Sequence, residues 1–207
     1  MKKERRYIVA KELRVDTEDK KIRGYAAVFD EETQLGPGYY EVVRPGAFAA
    51  CLDTAIDCRA LWNHNADLVM GRTKSGTLTL TEDDEGLRIE INPPDTETAR
   101  HWVESISRGD VDQMSFGFKA RKEAWVKRED SELRELLEVD VFDVSPVTYP
   151  AYDGTSVAYR SADEIINERR AATEHKPEAT ITNLDPQPEH EPDLGRQLDI
   201  LELSRGI

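Results

Sequence analysis

Hydrophobic alternation and helical spacing divide the first 159 residues into short strands with helices set between them. Tyr7-Ile-Val-Ala and Lys21-Ile-Arg-Gly-Tyr-Ala-Ala-Val-Phe carry the β-branched and aromatic side chains of strands, with Asp16 to Lys20 read as the turn between them. Gly76-Thr-Leu-Thr-Leu-Thr and Gly86-Leu-Arg-Ile-Glu-Ile alternate about the acidic turn Glu82 to Glu85, which predicts a β-hairpin. Met114 to Phe118 is a strand, Trp125-Val126 its partner or continuation, and Leu136 to Val147 another strand; Leu35 to Tyr40 reads as a loop, and Leu61 to Asn65 as a strand entering one. Phe48, Cys51, Leu52 and Ala55 fall at helical spacing and predict a helix over Ala47 to Asp57. A second helix should start at an Asp95 N-cap and run to about Arg108, with Ala99, Trp102, Val103 and Ile106 as its apolar stripe and Gly109 closing it. Hairpins imply antiparallel pairing. The expected fold is therefore mainly β with inserted helices (α+β), a closed or nearly closed β-barrel flanked by helices.

The pattern changes at Tyr159, the last aromatic residue. Residues 160–207 hold Pro177, Pro186, Pro188 and Pro192 and an excess of acidic over basic side chains. Such a segment buries too little apolar surface to offset its ordering entropy, so the chain divides into a folded domain, 1–159, and a largely disordered acidic tail, 160–207. Two pieces of the tail have helical character and could dock: Ala162 to Ala172, behind Ser161 as N-cap, and Leu194 to Leu203.

Over all 207 residues the net charge is −14, which disfavours nucleic acid as a partner and favours another protein. No uncharged apolar run approaches the roughly 18 residues of a membrane span, and Lys11 and Glu12 interrupt any signal-peptide core, so the chain is expected to begin life in the cytoplasm. Cys51 and Cys58, seven apart on the predicted helix, would lie about 10 Å apart along its axis, too far for a disulfide.

Candidate chemistry is sparse. Of four histidines, His175 and His190 fall in the tail and His101 lies opposite the apolar stripe of its helix, which leaves His64 as the candidate base. A three-histidine zinc site is excluded by this count, and no Cys-x-x-Cys or His-Glu-x-x-His replaces it. By itself a histidine between Asn63 and Asn65 is weak evidence, since structural histidines at strand ends are common. Ser115 adds to it: alternation puts Ser115 with Gly117, opposite the core-facing Met114, Phe116 and Phe118, leaving an open groove where Gly117 lets a substrate backbone approach. An ordinary edge-strand serine is the competing reading. Alternation also sets Asp143 at the end of the row Leu137, Val139, Val141, where a carboxylate needs a partner such as a histidine Nδ1–H. Glu138 and Asp140 face water instead, unless a bulge exchanges the faces. Serine, histidine and an acid supply a nucleophile, a general base and a group that fixes the imidazole tautomer. Asn63-His64-Asn65 alone would also suit a nuclease, but the paired metal ligands and basic surface are missing.

Gly24-Tyr-Ala-Ala-Val-Phe, Glu41-Val-Val-Arg-Pro-Gly-Ala-Phe, Leu61-Trp-Asn-His-Asn with Gly71-Arg72, Arg108-Gly109 before Met114-Ser-Phe-Gly-Phe, and Asp143-Val-Ser-Pro-Val-Thr-Tyr-Pro-Ala-Tyr occur in an order that resembles the HK97-type prohead (capsid maturation) proteases of tailed bacteriophages, over about residues 5–155. The resemblance implies a serine endopeptidase with a herpesvirus assemblin-like β-barrel and no cofactor, with His64 and Ser115 catalytic. The third member is Asp143, where relatives often have Glu, with Asp140 or Glu138 in reserve. The assemblin arginine pair has no counterpart near Tyr149 to Asp153, so backbone N–H groups are the expected oxyanion donors. The resemblance further implies cleavage of the scaffold segment of the major capsid protein inside the immature capsid, in the host cytoplasm, followed by digestion of the protease itself. Homodimers occur among assemblin relatives, and nucleic acid and membrane are not implied partners. The alternative is a non-catalytic capsid scaffold or assembly module that binds coat protein.

Overall fold

The alternating segments pair into two sheets. The structure is a computed structural model that describes residues 2–9, 12–149 and 161–174. The larger sheet contains β1 (Glu4–Val9), β10 (Gln113–Lys127), β11 (Glu132–Val147), β5 (Tyr39–Val43) and β4 (Thr33–Gly36) in that order; β6 (Arg59–Leu61) joins β11 and carries β7 (Val69–Arg72). The smaller sheet runs β2 (Arg14–Val15), β3 (Ile22–Val28), β9 (Gly86–Ile91), β8 (Leu78–Glu82). The α+β class holds, but the strands form these two sheets and not a closed barrel.

Strand β11 organises the larger sheet. One edge pairs with β10 in a long antiparallel hairpin, and the other takes two strands in parallel, β5 against Glu132 to Leu136 and β6 against Asp143 and Val144. Between them Val139 N–H donates to Ala47 O, so β11's backbone stays paired where no strand lies beside it. The core lies where the sheets face each other. Phe29 stacks on Phe48, Phe48 meets Phe116 edge-on, and Phe116 stacks on Phe118, amid Ile22, Leu87, Ile89, Met114, Val141 and Val144. Burying each such side chain is worth about 1.5–3 kcal/mol.

Several elements differ from the sequence reading. The Asp16 to Lys20 turn joins β3 to the short β2, not to β1, which pairs instead with β10. Thr33 to Val43 is a hairpin, where Leu35 to Tyr40 reads as loop. The helix expected over 47–57 is one turn, α1 (Ala49–Leu52): Thr54 Oγ donates back to Cys51 O, and Ala55 turns left-handed at φ 50°. Cys51 and Cys58 are both buried free thiols, and burial pushes both pKa values up. In the native protein at pH 8 neither should react with iodoacetamide within an hour, and both should react in denaturant; mass spectrometry of the two samples checks this.

The second helix, α2 (Glu97–Ser107), is capped by Thr96, whose side chain accepts from Ala99 N–H, while Asp95 pairs with Arg100. After residues 150–160, α3 (Ala162–Glu174) starts with a reciprocal cap between Ser161 and Glu164. It buries Ala162, Ile165 and Ile166, with Arg169 over Trp125 and Arg170 over Tyr39, so the compact unit runs to Thr173. The helix expected over Leu194 to Leu203, the tail prolines, His175 and His190 lie outside the described residues.

The sequence reading does not anticipate a charged cluster inside the larger sheet. Arg134 is fully buried and bonds Glu4 at 2.6 and 3.0 Å, Glu41 at 2.7 Å and Glu123 at 3.0 Å; Arg6 bonds Glu4 and Glu41 at 2.9 Å each. Burial works against the Arg134 charge, yet bonding and attraction from the glutamates outweigh it and hold its pKa above the ordinary value. The cluster ties β1, β10, β11 and β5 together.

Candidate active site

His64 is delivered by a tight turn, Trp62 to His64, directly after β6. Asn63 and His64 both have left-handed backbones, at φ 51° and 56°. Asparagine tolerates this region better than histidine, for which it is strained. The turn is held from outside. Thr148 N–H donates to Asn63 Oδ1 at 2.9 Å, the Asn63 amide donates to the Thr148 hydroxyl at 3.1 Å, and Trp62 stacks on Trp102 of α2 with ring centroids 5.9 Å apart. The strand pair behind the turn is fastened by Arg72, whose fork bonds Asp57 at 2.6 and 2.7 Å and holds that carboxyl well below the usual carboxylate range. Gly71 is needed beside it, because a Cβ there would lie 2.5 Å from Thr77 O.

Ser115 and Ser145 are partners across the β10–β11 ladder, followed by Gly117 and Asp143. Just beyond, Phe118 pairs with Val141, so β11 carries one extra residue, Phe142, in a bulge. The bulge exchanges the faces: Asp143 does not end the row of Val139 and Val141 but sits with Ser115, on the side away from Phe116 and Phe118. The expected groove over Ser115 and Gly117 is filled. A Cβ on Gly117 would lie 1.9 Å from Asp143 Oδ1 and 2.5 Å from Phe142 Cε2, so the glycine accommodates the acid and the bulge, not a substrate backbone. Gly117→Ala should displace the carboxylate, cost about 1–3 kcal/mol and reduce turnover at least about 100-fold; thermal melts and a cleavage assay on the purified variant would show both.

The three predicted side chains come together. His64 Nδ1 bonds Asp143 Oδ2, and His64 Nε2 lies 2.5 Å from Ser115 Oγ. With Nδ1–H donating to the carboxylate, Nε2 is free to accept the serine proton. Ser115 is 0% exposed and the His64 and Asp143 side chains 6% and 4%, so the constellation is shielded from water. The reserve acids are elsewhere: Asp140 bonds Arg121 and Glu138 pairs with Lys122, both at the surface. His101 is exposed, as its helix phase requires.

A family model described as caudovirus prohead serine protease matches residues 8–169. The chain belongs to that family. It is therefore a serine endopeptidase of capsid maturation in a tailed phage. A search of curated proteins and a search of solved structures return no match. The matched span runs past Tyr159 into α3.

Sequence reasoning on the prohead protease missed the supports of its site. Asn63, Thr148, Tyr7, whose ring meets His64 edge-on at 6.2 Å, and Ser145 all touch the constellation or its turn. Asn63, Thr148 and Ser145 lie within the quoted motifs, so a motif read for its geometry as well as its nucleophile would have flagged them. Residues 150–153, where the arginine pair was sought, lie outside the described residues.

Proposed function

We propose that Ser115 is the nucleophile, His64 the general base and Asp143 the acid that fixes the imidazole tautomer, and that the enzyme cleaves the scaffold segment of the major capsid protein inside the immature capsid and then digests itself. The observation that carries this reading is the unbroken line Ser115 Oγ, His64 Nε2, His64 Nδ1, Asp143 Oδ2. In the first step the Ser115 proton passes to Nε2 as Oγ bonds the scissile carbonyl carbon; the imidazolium formed is balanced by Asp143, and the same proton is given to the departing amine. Water then repeats the sequence on the acyl-enzyme. A coat-binding module without catalysis has no need of this alignment.

The test is co-expression of the chain with its capsid protein, followed by gel and by labelling of the purified protein with a fluorophosphonate. The expected result is a shortened capsid protein, loss of full-length protease and the label on Ser115. An intact capsid protein with no label would overturn the reading.

A further inference from the structure

We infer that Ser145 is a positioning residue of this site, a fourth polar group that holds the His64 imidazole in its working tautomer. The inference rests on the protease reading for its relevance to turnover, but its physical claim does not. Ser145 Oγ lies 3.1 Å from His64 Nδ1 and 3.4 Å from Asp143 Oδ2, and the residue is 0% exposed. It stands directly across the ladder from Ser115. A buried hydroxyl needs partners, and among the described residues Ser145 finds them in His64 and Asp143.

The directions follow from what each atom can do. Nδ1 has one proton and Asp143 Oδ2 can only accept, so the Nδ1–H points at the carboxylate and is shared with Ser145 Oγ. The Ser145 proton is then directed at Oδ2. The arrangement matters because Asp143 is poorly served otherwise: among the described residues its buried Oδ1 has no hydrogen-bond partner, against the space left by Gly117. Ser145 is thus the hydroxyl donor to the carboxylate and a second acceptor for the ring N–H. Both contacts favour the Nδ1–H tautomer over the Nε2–H form, which could not accept the Ser115 proton. Both also stabilise the imidazolium once it forms.

Two measurements test this. Protein carrying Ser115→Ala, which prevents self-digestion, is labelled with ¹⁵N-histidine and compared with and without Ser145→Ala by two-bond ¹H–¹⁵N correlation. The chain has four histidines, and His64→Gln identifies the signal of interest. The Nε2–H share of neutral His64 should rise about threefold to tenfold when the Ser145 hydroxyl is removed, the weight of one hydrogen bond. In the Ser115 background, Ser145→Ala should slow capsid-protein processing about tenfold, but less than about twofold further when Asp143→Asn is already present. An unchanged tautomer ratio overturns the inference even if the rate falls, since a packing role would slow the enzyme without moving the proton. A shifted ratio with an unchanged rate overturns the role in turnover. The spectroscopic arm needs no substrate, so it can be read even if the protease reading itself fails.

Discussion

Ser115→Ala is expected to lower capsid-protein processing by about 10⁵-fold or more and to leave full-length protease accumulating, with thermal stability close to that of wild type. Removing Oγ deletes the attacking atom while vacating only a small volume in a strand that stays paired on both sides. His64→Ala should cost about as much, because the alkoxide-forming proton then has no acceptor. Asp143→Asn should cost less, about 10³–10⁴-fold: the amide can still meet Nδ1, but as a donor it favours the wrong tautomer. This graded order, read from gel densitometry over time, separates the roles. Equal losses at all three positions would point to collapse of the site, and retained cleavage in Ser115→Ala would refute the assignment of the nucleophile.

Arg134→Met should produce the largest loss of stability, about 3–5 kcal/mol in urea denaturation carried out on the Ser115→Ala protein. Methionine fills much of the arginine's volume, so the effect is electrostatic and not a cavity. Glu4 and Glu41, at 1% and 3% exposure, would lose the Arg134 guanidinium while keeping their bonds to Arg6. Three positions far apart in the sequence therefore become interdependent once β1, β10, β11 and β5 pair into one sheet. A second substitution, Glu4→Gln in the Arg134→Met protein, should recover part of the loss; a further loss would contradict the account.

What the sequence made legible followed local rules. The β8–β9 hairpin and α2 were readable because alternation and helical spacing there are uninterrupted and the burial obeys them. Ser161 as a helix cap was readable for the same reason. Failures arose where one residue changed the count. Phe142 breaks the pleat, and no propensity announces a bulge, so Asp143 was identified as the acid from a row to which it does not belong. Ala55 ended a helix that its apolar spacing would have continued. The Arg134 cluster was illegible for a different reason: its members are spread from residue 4 to residue 134, and only the sheet order joins them. At the site, the identities of Ser115 and His64 were accessible from residue type and motif order, whereas the strained turn and its Asn63–Thr148 fastening belong to geometry.

The parallel docking of β5 and β6 along one edge of β11 has a consequence for how such a chain tolerates change in length. His64 and Asp143 are brought together by the Arg59–Asp143 register, and β5 is fixed separately at the other end of the same strand. The chain between them is a detour whose two ends are anchored to a common rail. Asp53, Thr54 and Ala55 are exposed on that detour. Lineages could lengthen it there, or an engineer could insert a reporter, without altering the spacing of base and acid.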